Sequence, residues 1–479
     1  MMALFLACAL RGAGVAGTAA DAAEPYDLVI AGGRVIDPET GLDGVRNVAI
    51  RGGTIVKITH EPLPARRTLD ARGLVVAPGF IDLHQHGQTV EDGALKALDG
   101  VTTGLEMEIG QPDVASFLAR KQGRSLIHYG STASHAAARA AAFDTPLGPT
   151  ELIAPAGPAT DAAATTERLA RIDARLHSEL DAGALGIGMG IQYTPGALRS
   201  EVLRTFRLAA ERNVPVYSHV RSFGRIEPGS AVEAVGEVIG AAAISGASLQ
   251  IVHINSSCGI DAPECLAMVA GARARGLDVT AEAYPYTAGA TDIRSALFNP
   301  GWQQRLGVGY DAVRIPLTGE KLGKERFDAL RGAKEPVPVL LFVNTPEIVD
   351  AVIRDPLVMI ASDGGLGHPR NAGTYSRILG HYVRGTGQLA LADAIRKMSL
   401  MPAQRLEKST SAARRKGRVQ ESADADLVVF DLQSIADRAT YTQPSLPSTG
   451  MKYVLVGGTV LVDDGKLVPG VFPGQAIRR

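Results

Sequence analysis

From about Pro78 to Leu406 short apolar, β-branched runs alternate with Ala-, Leu- and Arg-rich stretches, and few folds accommodate that rhythm. The predicted strands are Gly79–Leu83, Thr102–Ile109, Ser125–Tyr129, Gly186–Met189, Val214–Ser218, Leu249–Ile254, Val279–Ala283 and Val358–Ala361. Between them fall predicted helices that include Thr166–Ala182, Arg199–Arg212, Ala231–Ser245 and Pro263–Arg275. A strand followed by a crossover helix leads to a parallel neighbour, and about eight such repeats suit an α/β fold closed as a (β/α)₈ TIM barrel. Residues from about Phe298 to Glu335 lack the rhythm and read as an insertion before the last strand.

The chain ends follow a different pattern. Asp27–Asp37 and Tyr453–Asp463 each contain two β-type runs joined by a Gly-Gly pair, Gly32-Gly33 and Gly457-Gly458, which reads as a hairpin. Val48–Arg51, Thr54–Ile58 and Asp426–Asp431 add further short strands. A lone hairpin is marginal, so both ends are expected to join as one small β-sandwich domain, 24–77 with 407–479, beside a barrel of 78–406. A length of 479 residues exceeds the usual single domain and agrees with that division.

Met1 to Leu10 is apolar and Arg11 to Ala23 is rich in small residues, so 1–23 is expected to be a secretory signal and the protein secreted or periplasmic. The other reading is a mis-assigned start ahead of a cytoplasmic enzyme. No other segment is apolar and long enough to span a membrane. With 49 Lys+Arg against 50 Asp+Glu and 5% aromatics, neither a polyanion surface nor stacking platforms for nucleic acid are expected. The expected partner is a small-molecule substrate, and an oligomer is left open. Cys258 and Cys265 in the body of the chain read as two free thiols rather than as a disulfide framework.

In a barrel of this kind chemistry collects at the strand C-termini, and the metal-ligating residue types fall there. His84 and His86 end the first strand, and side chains two apart on a strand point the same way. His219 ends the fifth strand, His253 the sixth, and Asp363 the last. Imidazole and carboxylate are ligands that zinc prefers, and their convergence on one rim reads as a metal site holding one or two Zn²⁺. His60, His128, His135, His177 and His381 have no convergent partners and read as structural or exposed; His368, in the loop after Asp363, reads equally as a pocket residue or a loop residue.

The segment Ala77-Pro78-Gly79-Phe80-Ile81-Asp82-Leu83-His84-Gln85-His86 resembles the first-strand motif of the amidohydrolase superfamily. Within it the chain is most similar to the N-acyl-D-amino-acid deacylases, through Tyr193-Thr194-Pro195-Gly196, Glu282-Ala283-Tyr284-Pro285-Tyr286, and Ser362-Asp363-Gly364 followed by His368-Pro369-Arg370. The resemblance implies that His84 and His86 hold the more buried metal and His219 and His253 the other. It also implies that Asp363 shuttles a proton from water to the leaving nitrogen. Tyr193, Asn255, Tyr284 and Arg370 are then the expected substrate-binding residues. The implied reaction is cleavage of a carbon–nitrogen amide bond, with an N-acyl-D-amino acid as substrate. Cyclic-amide hydrolysis or deamination is the rival chemistry, and a non-enzymatic barrel the rival outside enzymology.

The chain departs from the resembled family at three positions. That family has a metal-binding cysteine soon after Gly-Val-Thr-Thr, whereas Gly100-Val101-Thr102-Thr103 here leads to Ile109 in the matching place. Other amidohydrolases bridge two metals with a glutamate on this strand or a carboxylated lysine on the fourth, and Leu185 to Gly190 contains no lysine. Glu106 and Glu108 share a face by period two; Glu108, nearer the strand end, is the preferred metal ligand and Glu106 the alternative. Asn255 stands where the family has a carboxylate-binding lysine, and Ala290 where it has a serine.

Overall fold

A computed structural model describes residues 24–479, so the expected signal segment 1–23 lies outside the described residues. Eight parallel strands follow one another around a barrel: β1 Phe80–Asp82, β2 Val101–Gln111, β3 His128–Ser134, β4 Ile187–Gly190, β5 Val216–His219, β6 Leu249–Ile251, β7 Val279–Ala283 and β8 Val358–Ile360. Each pairs with the next in chain order. The seam between β8 and β1 is closed beyond the strand ends, where Gln85 bridges Gly364 and the His86 N–H donates to the Gly364 carbonyl at 2.8 Å. This is the expected α/β barrel. β7 has the expected limits, while β3 begins at His128 rather than Ser125 and runs to Ser134 through a Gly-Ser-Thr stretch that reads as a loop.

The crossover helices start where the sequence offers caps. Thr165 accepts from Arg168 N at the head of Thr166–Asp181, and Ser230 accepts from Glu233 N at the head of Ala231–Ser245. The latter helix ends at Gly246, whose φ of 79° is a left-handed conformation that glycine adopts without a Cβ clash.

Both chain ends form a single nine-stranded sheet. The C-terminal strand Leu427–Phe430 pairs antiparallel with Val75–Pro78, which runs directly into β1. The sheet curls until its far edge returns, with Ala425 N donating to Gly53 O at 2.8 Å and Ile55 N to Ala423 O at 2.9 Å. Ile30, Val48, Val76, Leu427 and Leu455 fill the enclosed space. Asp426 fixes this sheet to the barrel: it lies 3.0 Å from His128 Nε2 at the start of β3 and 2.6 Å from Lys416 Nζ. His128 is thus structural, as is His135, which contacts Glu201 at 3.0 Å beside buried Arg139.

Between β7 and β8 lies a small three-stranded sheet, Ala288–Asp292, Val313–Arg314 and Pro338–Phe342, packed on an aromatic cluster in which Trp302 stacks on Phe327 at 5.2 Å. Among the described residues no helix is long and apolar enough to cross a membrane. One expectation is corrected: Cys258 and Cys265 are joined as a disulfide. The short helix Ile254–Cys258 turns at Gly259, φ 50°, into the helix Ala262–Ala274, and that turn brings the two Cα atoms to 6.6 Å, within disulfide reach.

Candidate metal centre

β1 is buried on all sides, so its continuation delivers His84 and His86 to the barrel mouth at fixed height. Their Nε2 atoms lie 3.2 Å apart and face the same carboxylate oxygen, Glu108 Oε2, at 2.9 and 3.1 Å. Asp363 Oδ1 completes the group, 3.4 Å from His84 Nε2 and 3.2 Å from His86 Nε2. The other oxygen of Glu108 serves a second group, 2.5 Å from His219 Nδ1 and 3.0 Å from His253 Nε2. The structure therefore brings all six sequence-predicted ligand and acid–base residues together, with Glu108 shared by two donor sets.

The outer ring atoms are also held. His84 Nδ1 lies 2.5 Å from Glu282 Oε1, and Glu282 Oε2 accepts from Gln250 Nε2 at 2.6 Å. His86 Nδ1 lies 2.6 Å from Glu106 Oε2, so Glu106 orients a histidine rather than joining the donor set. His219 Nε2 contacts Gln192 Oε1 at 2.8 Å and His253 Nδ1 contacts Ser257 Oγ at 3.0 Å. Partners of this kind fix the tautomer and raise the basicity of the ligating nitrogen. Glu282, Gln192 and Ser257 were not singled out as site residues from sequence. Glu282 carried a usable signal, an acid within the apolar run Val279–Ala283. Gln192 and Ser257 carried none.

These residues fit a metal ion on two grounds. A tetrahedral ion with ligand bonds of about 2.0–2.1 Å has ligand–ligand edges of about 3.3–3.4 Å, close to the 2.9–3.4 Å edges of the first set. The charge balance points the same way. Burial disfavours protonation of His84 and His86, yet Asp363, Glu108 and Glu282 around the one and Glu106 around the other push both well above the usual imidazole value. Burial would raise the Glu108 carboxyl, but His84 and His219 hold it well below its usual range. Such a surplus of negative charge in a dry pocket calls for a cation. His219, by contrast, is driven down by burial in spite of Glu108, which leaves a neutral nitrogen suited to ligation.

Two residues of this group have strained backbones, His253 at φ 32° and Asp363 at φ 51°. Asp363 is held from behind by a buried network. Lys96 Nζ bonds Asp82 Oδ2 at 2.7 Å, and Asp82 Oδ1 accepts from His84 N at 3.2 Å and Ser362 N at 3.0 Å. One carboxylate thus sets the backbone of both rims at the barrel seam.

Of the remaining predicted residues, Tyr193 and Tyr284 line the opening, while Arg370 and Asn255 lie behind its wall. Arg370 Nη2 lies 2.7 Å from Asp363 Oδ1, and the guanidinium stacks over Tyr284 with its carbon 4.5 Å from the ring centroid. Arg370 is fully buried, and none of its side-chain nitrogens has an aligned hydrogen-bond acceptor. Burial would raise the Asp363 carboxyl, but Arg370 and then His84 hold it far below the usual range. Tyr193 and Tyr284 line a narrow cavity over the donor sets, and burial keeps both phenols neutral by pushing them up. Thr291 Oγ1 donates to the Tyr193 oxygen at 3.2 Å, leaving the phenol hydrogen free to donate. Asn255 is not in that wall; its amide donates to the Tyr284 carbonyl at 3.1 Å, supporting the tyrosine from behind. His368 likewise stays out of the cavity, accepting from Arg370 N through Nδ1 and contacting Ala288 O at 3.0 Å through Nε2.

Known proteins share this arrangement's sequence and fold. A model described as the amidohydrolase family matches residues 67–462. The N-acyl-D-glutamate deacylase of Alcaligenes xylosoxydans xylosoxydans is 31% identical over 513 residues, covering 95% of this chain and 97% of its own. The D-aminoacylase of the same organism is 28% identical, covering 95% of this chain and 98% of its own. A crystal structure of N-acyl-D-glutamate deacylase from Bordetella bronchiseptica, solved with zinc and a phosphonate inhibitor, superposes with a TM-score of 0.77 at 27% identity, covering 95% of this chain and all of that one. A metal-shaped donor set at the mouth of a (β/α)₈ barrel, matched along nearly the whole chain, places this protein in the amidohydrolase family, among its D-aminoacylase-like members.

Proposed function

We propose that this chain hydrolyses the amide bond of an N-acyl-D-amino acid, with zinc held by His84, His86 and Glu108 on one side and by Glu108, His219 and His253 on the other. The observation that carries the proposal is Asp363: a carboxylate aimed at the first donor set, kept ionised by a buried arginine and exposed to the cavity. An ion held at these donors would supply Lewis-acid polarisation of a carbonyl and lower the pKa of water towards neutrality. Asp363 Oδ1 is placed to accept the proton of the attacking water and to return it to the departing amide nitrogen, acting as general base and then general acid. Tyr193, neutral and with its hydroxyl hydrogen free, donates to the carbonyl oxygen as charge develops there. Arg370, paired with Asp363 behind the cavity wall but without an aligned hydrogen-bond acceptor, is the cation we assign to the substrate carboxylate, and charge-assisted bonds of this kind orient a ligand strongly.

Purified protein loaded with zinc should release free amino acid from N-acetyl-D-amino acids and not from their L-enantiomers. Cleavage of hydantoins or dihydroorotate with no action on the acyl-D-amino acids would overturn the proposal. We also propose export from the cytoplasm; the Cys258–Cys265 bridge supports it, because structural disulfides persist in oxidising compartments. Amino-terminal sequencing of protein recovered from the periplasm or medium tests that reading, and recovery of the intact chain from the cytoplasm alone would refute it.

A further inference from the structure

We infer that the barrel carries a second ligand site at its N-terminal end, one that takes a small oxyanion with two negative charges and is independent of the reaction proposed above. The metal-centre histidines stand at the C-termini of the strands, whereas Asp278 and Pro356-Leu357 stand at the N-termini of β7 and β8. There a cleft of about 260 Å³ opens, and four cations line it: Arg273, Arg396, Arg405 and Lys408. They come from separate parts of the chain. Arg273 ends the helix Ala262–Ala274, Arg396 follows the helix Leu391–Ile395, and Arg405 and Lys408 lie in and just beyond the helix Met401–Leu406. Among the residues that line the cleft, Asp278 is the single carboxylate.

Asp278 balances only part of that charge. Its Oδ1 lies 2.9 Å from Arg405 Nη1, and its Oδ2 lies 3.6 Å from Lys408 Nζ and accepts from Ser248 Oγ at 2.6 Å. Burial would raise this carboxyl, but Arg405 and Ser248 hold it below its usual range, so it carries one full negative charge. Arg273 and Arg396 have uncharged contacts: Arg273 Nη1 donates to Val279 O at 2.9 Å and Arg396 Nη1 to Met401 Sδ at 3.4 Å. Arg405 is 3% exposed, and its Nε and Nη2 have no hydrogen-bond partner. Four cations against one carboxylate leave a surplus of positive charge in a concave site, which concentrates anions there. Buried donors without acceptors add to the demand for one. Guanidinium forks match the oxygens of carboxylate, sulfate and phosphate, and such charge-assisted bonds are strong. Thr280, also in the wall, spends its hydroxyl hydrogen on Gln250 Oε1 at 2.7 Å, so nitrogen donors hold the anion. Leu357, Met359 and Met401 give the cleft an apolar side against which a short carbon body would lie. The shared chemistry is therefore a pair of negative charges on oxygen, borne by a tetrahedral phosphate-like group or by a dicarboxylate.

The test is isothermal titration of the zinc-loaded full-length protein with sulfate and, separately, with succinate, at constant ionic strength with chloride as the balancing anion. The expected result is saturable binding of about one anion per chain by at least one of the two. Tighter binding of sulfate identifies the phosphate-like ligand, and tighter binding of succinate the dicarboxylate. The double variant Arg273→Gln/Arg396→Gln removes two cations that have no carboxylate partner, and it should weaken that binding at least about tenfold. Arg66→Gln, an exposed arginine on the terminal sheet, should bind as the wild type does. No saturable binding of either anion overturns the inference. So does binding that the double variant leaves unchanged, because the anion then sits elsewhere, the metal centre included. If circular dichroism shows the double variant unfolded, Lys408→Gln, at an exposed position, takes its place with the same expected direction and the same overturning result.

Discussion

Replacing Lys96 with methionine tests whether the buried network at the barrel seam holds the site together. The ammonium and the Asp82 carboxylate are both fully buried, 2.7 Å apart, with Ser362 Oγ bonded to Asp82 Oδ2 at 2.5 Å. Removing one partner of a buried ion pair leaves an uncompensated charge and costs roughly 3–5 kcal/mol. Asp82 would keep its bonds from His84 N, Ser362 N and Ser362 Oγ, which puts the expected loss at the lower end, about 3 kcal/mol. Adding Asp82→Asn to Lys96→Met should restore part of that loss, because the stranded charge is then gone. Denaturant unfolding of both single variants and the double variant measures the coupling directly. Zinc content measured alongside should fall in K96M, since Asp82 positions the backbone of both His84 and Ser362. A K96M protein within about 0.5 kcal/mol of wild type, the range of an ordinary surface substitution, would refute the reasoning.

Asp363→Asn should abolish hydrolysis, with a loss in kcat of about 100- to 10,000-fold, the usual yield of positioned acid–base catalysis; metal analysis should find the His84 and His86 side still loaded. Glu282→Gln should weaken metal affinity about 10- to 100-fold, measured by competition with a zinc chelator, because the partner of His84 Nδ1 becomes neutral. Asp426 governs acid stability. Burial alone would raise its carboxyl, but Lys416 and His128 hold it far below the ordinary 3.8, so its stabilisation is complete above that value and fades as pH falls below it. Asp426→Asn should therefore flatten the acid limb of the stability profile below about pH 4, and an unchanged limb would count against the pairing.

The barrel was legible because each of its strands is a short apolar run between turn signals, and five of the six donor residues lie at or just past strand ends. Glu108 was accessible by period two along β2, a strand buried over all eleven residues, where an acid must have a partner. The end of β3 was placed too early because Ser131 and Thr132 look like loop residues. In the fold their hydroxyls donate to the carbonyls of Glu106 and Met107 on β2, which lets a polar stretch be buried. The split of roles between Glu106 and Glu108 depends on where His86 Nδ1 points, and spacing alone does not encode that. The disulfide escaped because its cysteines lie seven positions apart, and only the sharp turn at Gly259 makes that span short.

The nine-stranded sheet places a constraint on synthesis. The strand that leads into β1, Val75–Pro78, receives its C-terminal neighbour, Leu427–Phe430, only after some 350 intervening residues have been made. Until then an apolar edge with free amides and carbonyls stands open on the ribosome, the kind of template that recruits foreign strands. A nascent chain arrested before residue 427 keeps His84, His86 and His219 yet lacks the staves that seal its flank. Premature stop codons near the 3′ end of the coding sequence should accordingly yield insoluble protein rather than a shortened but working enzyme.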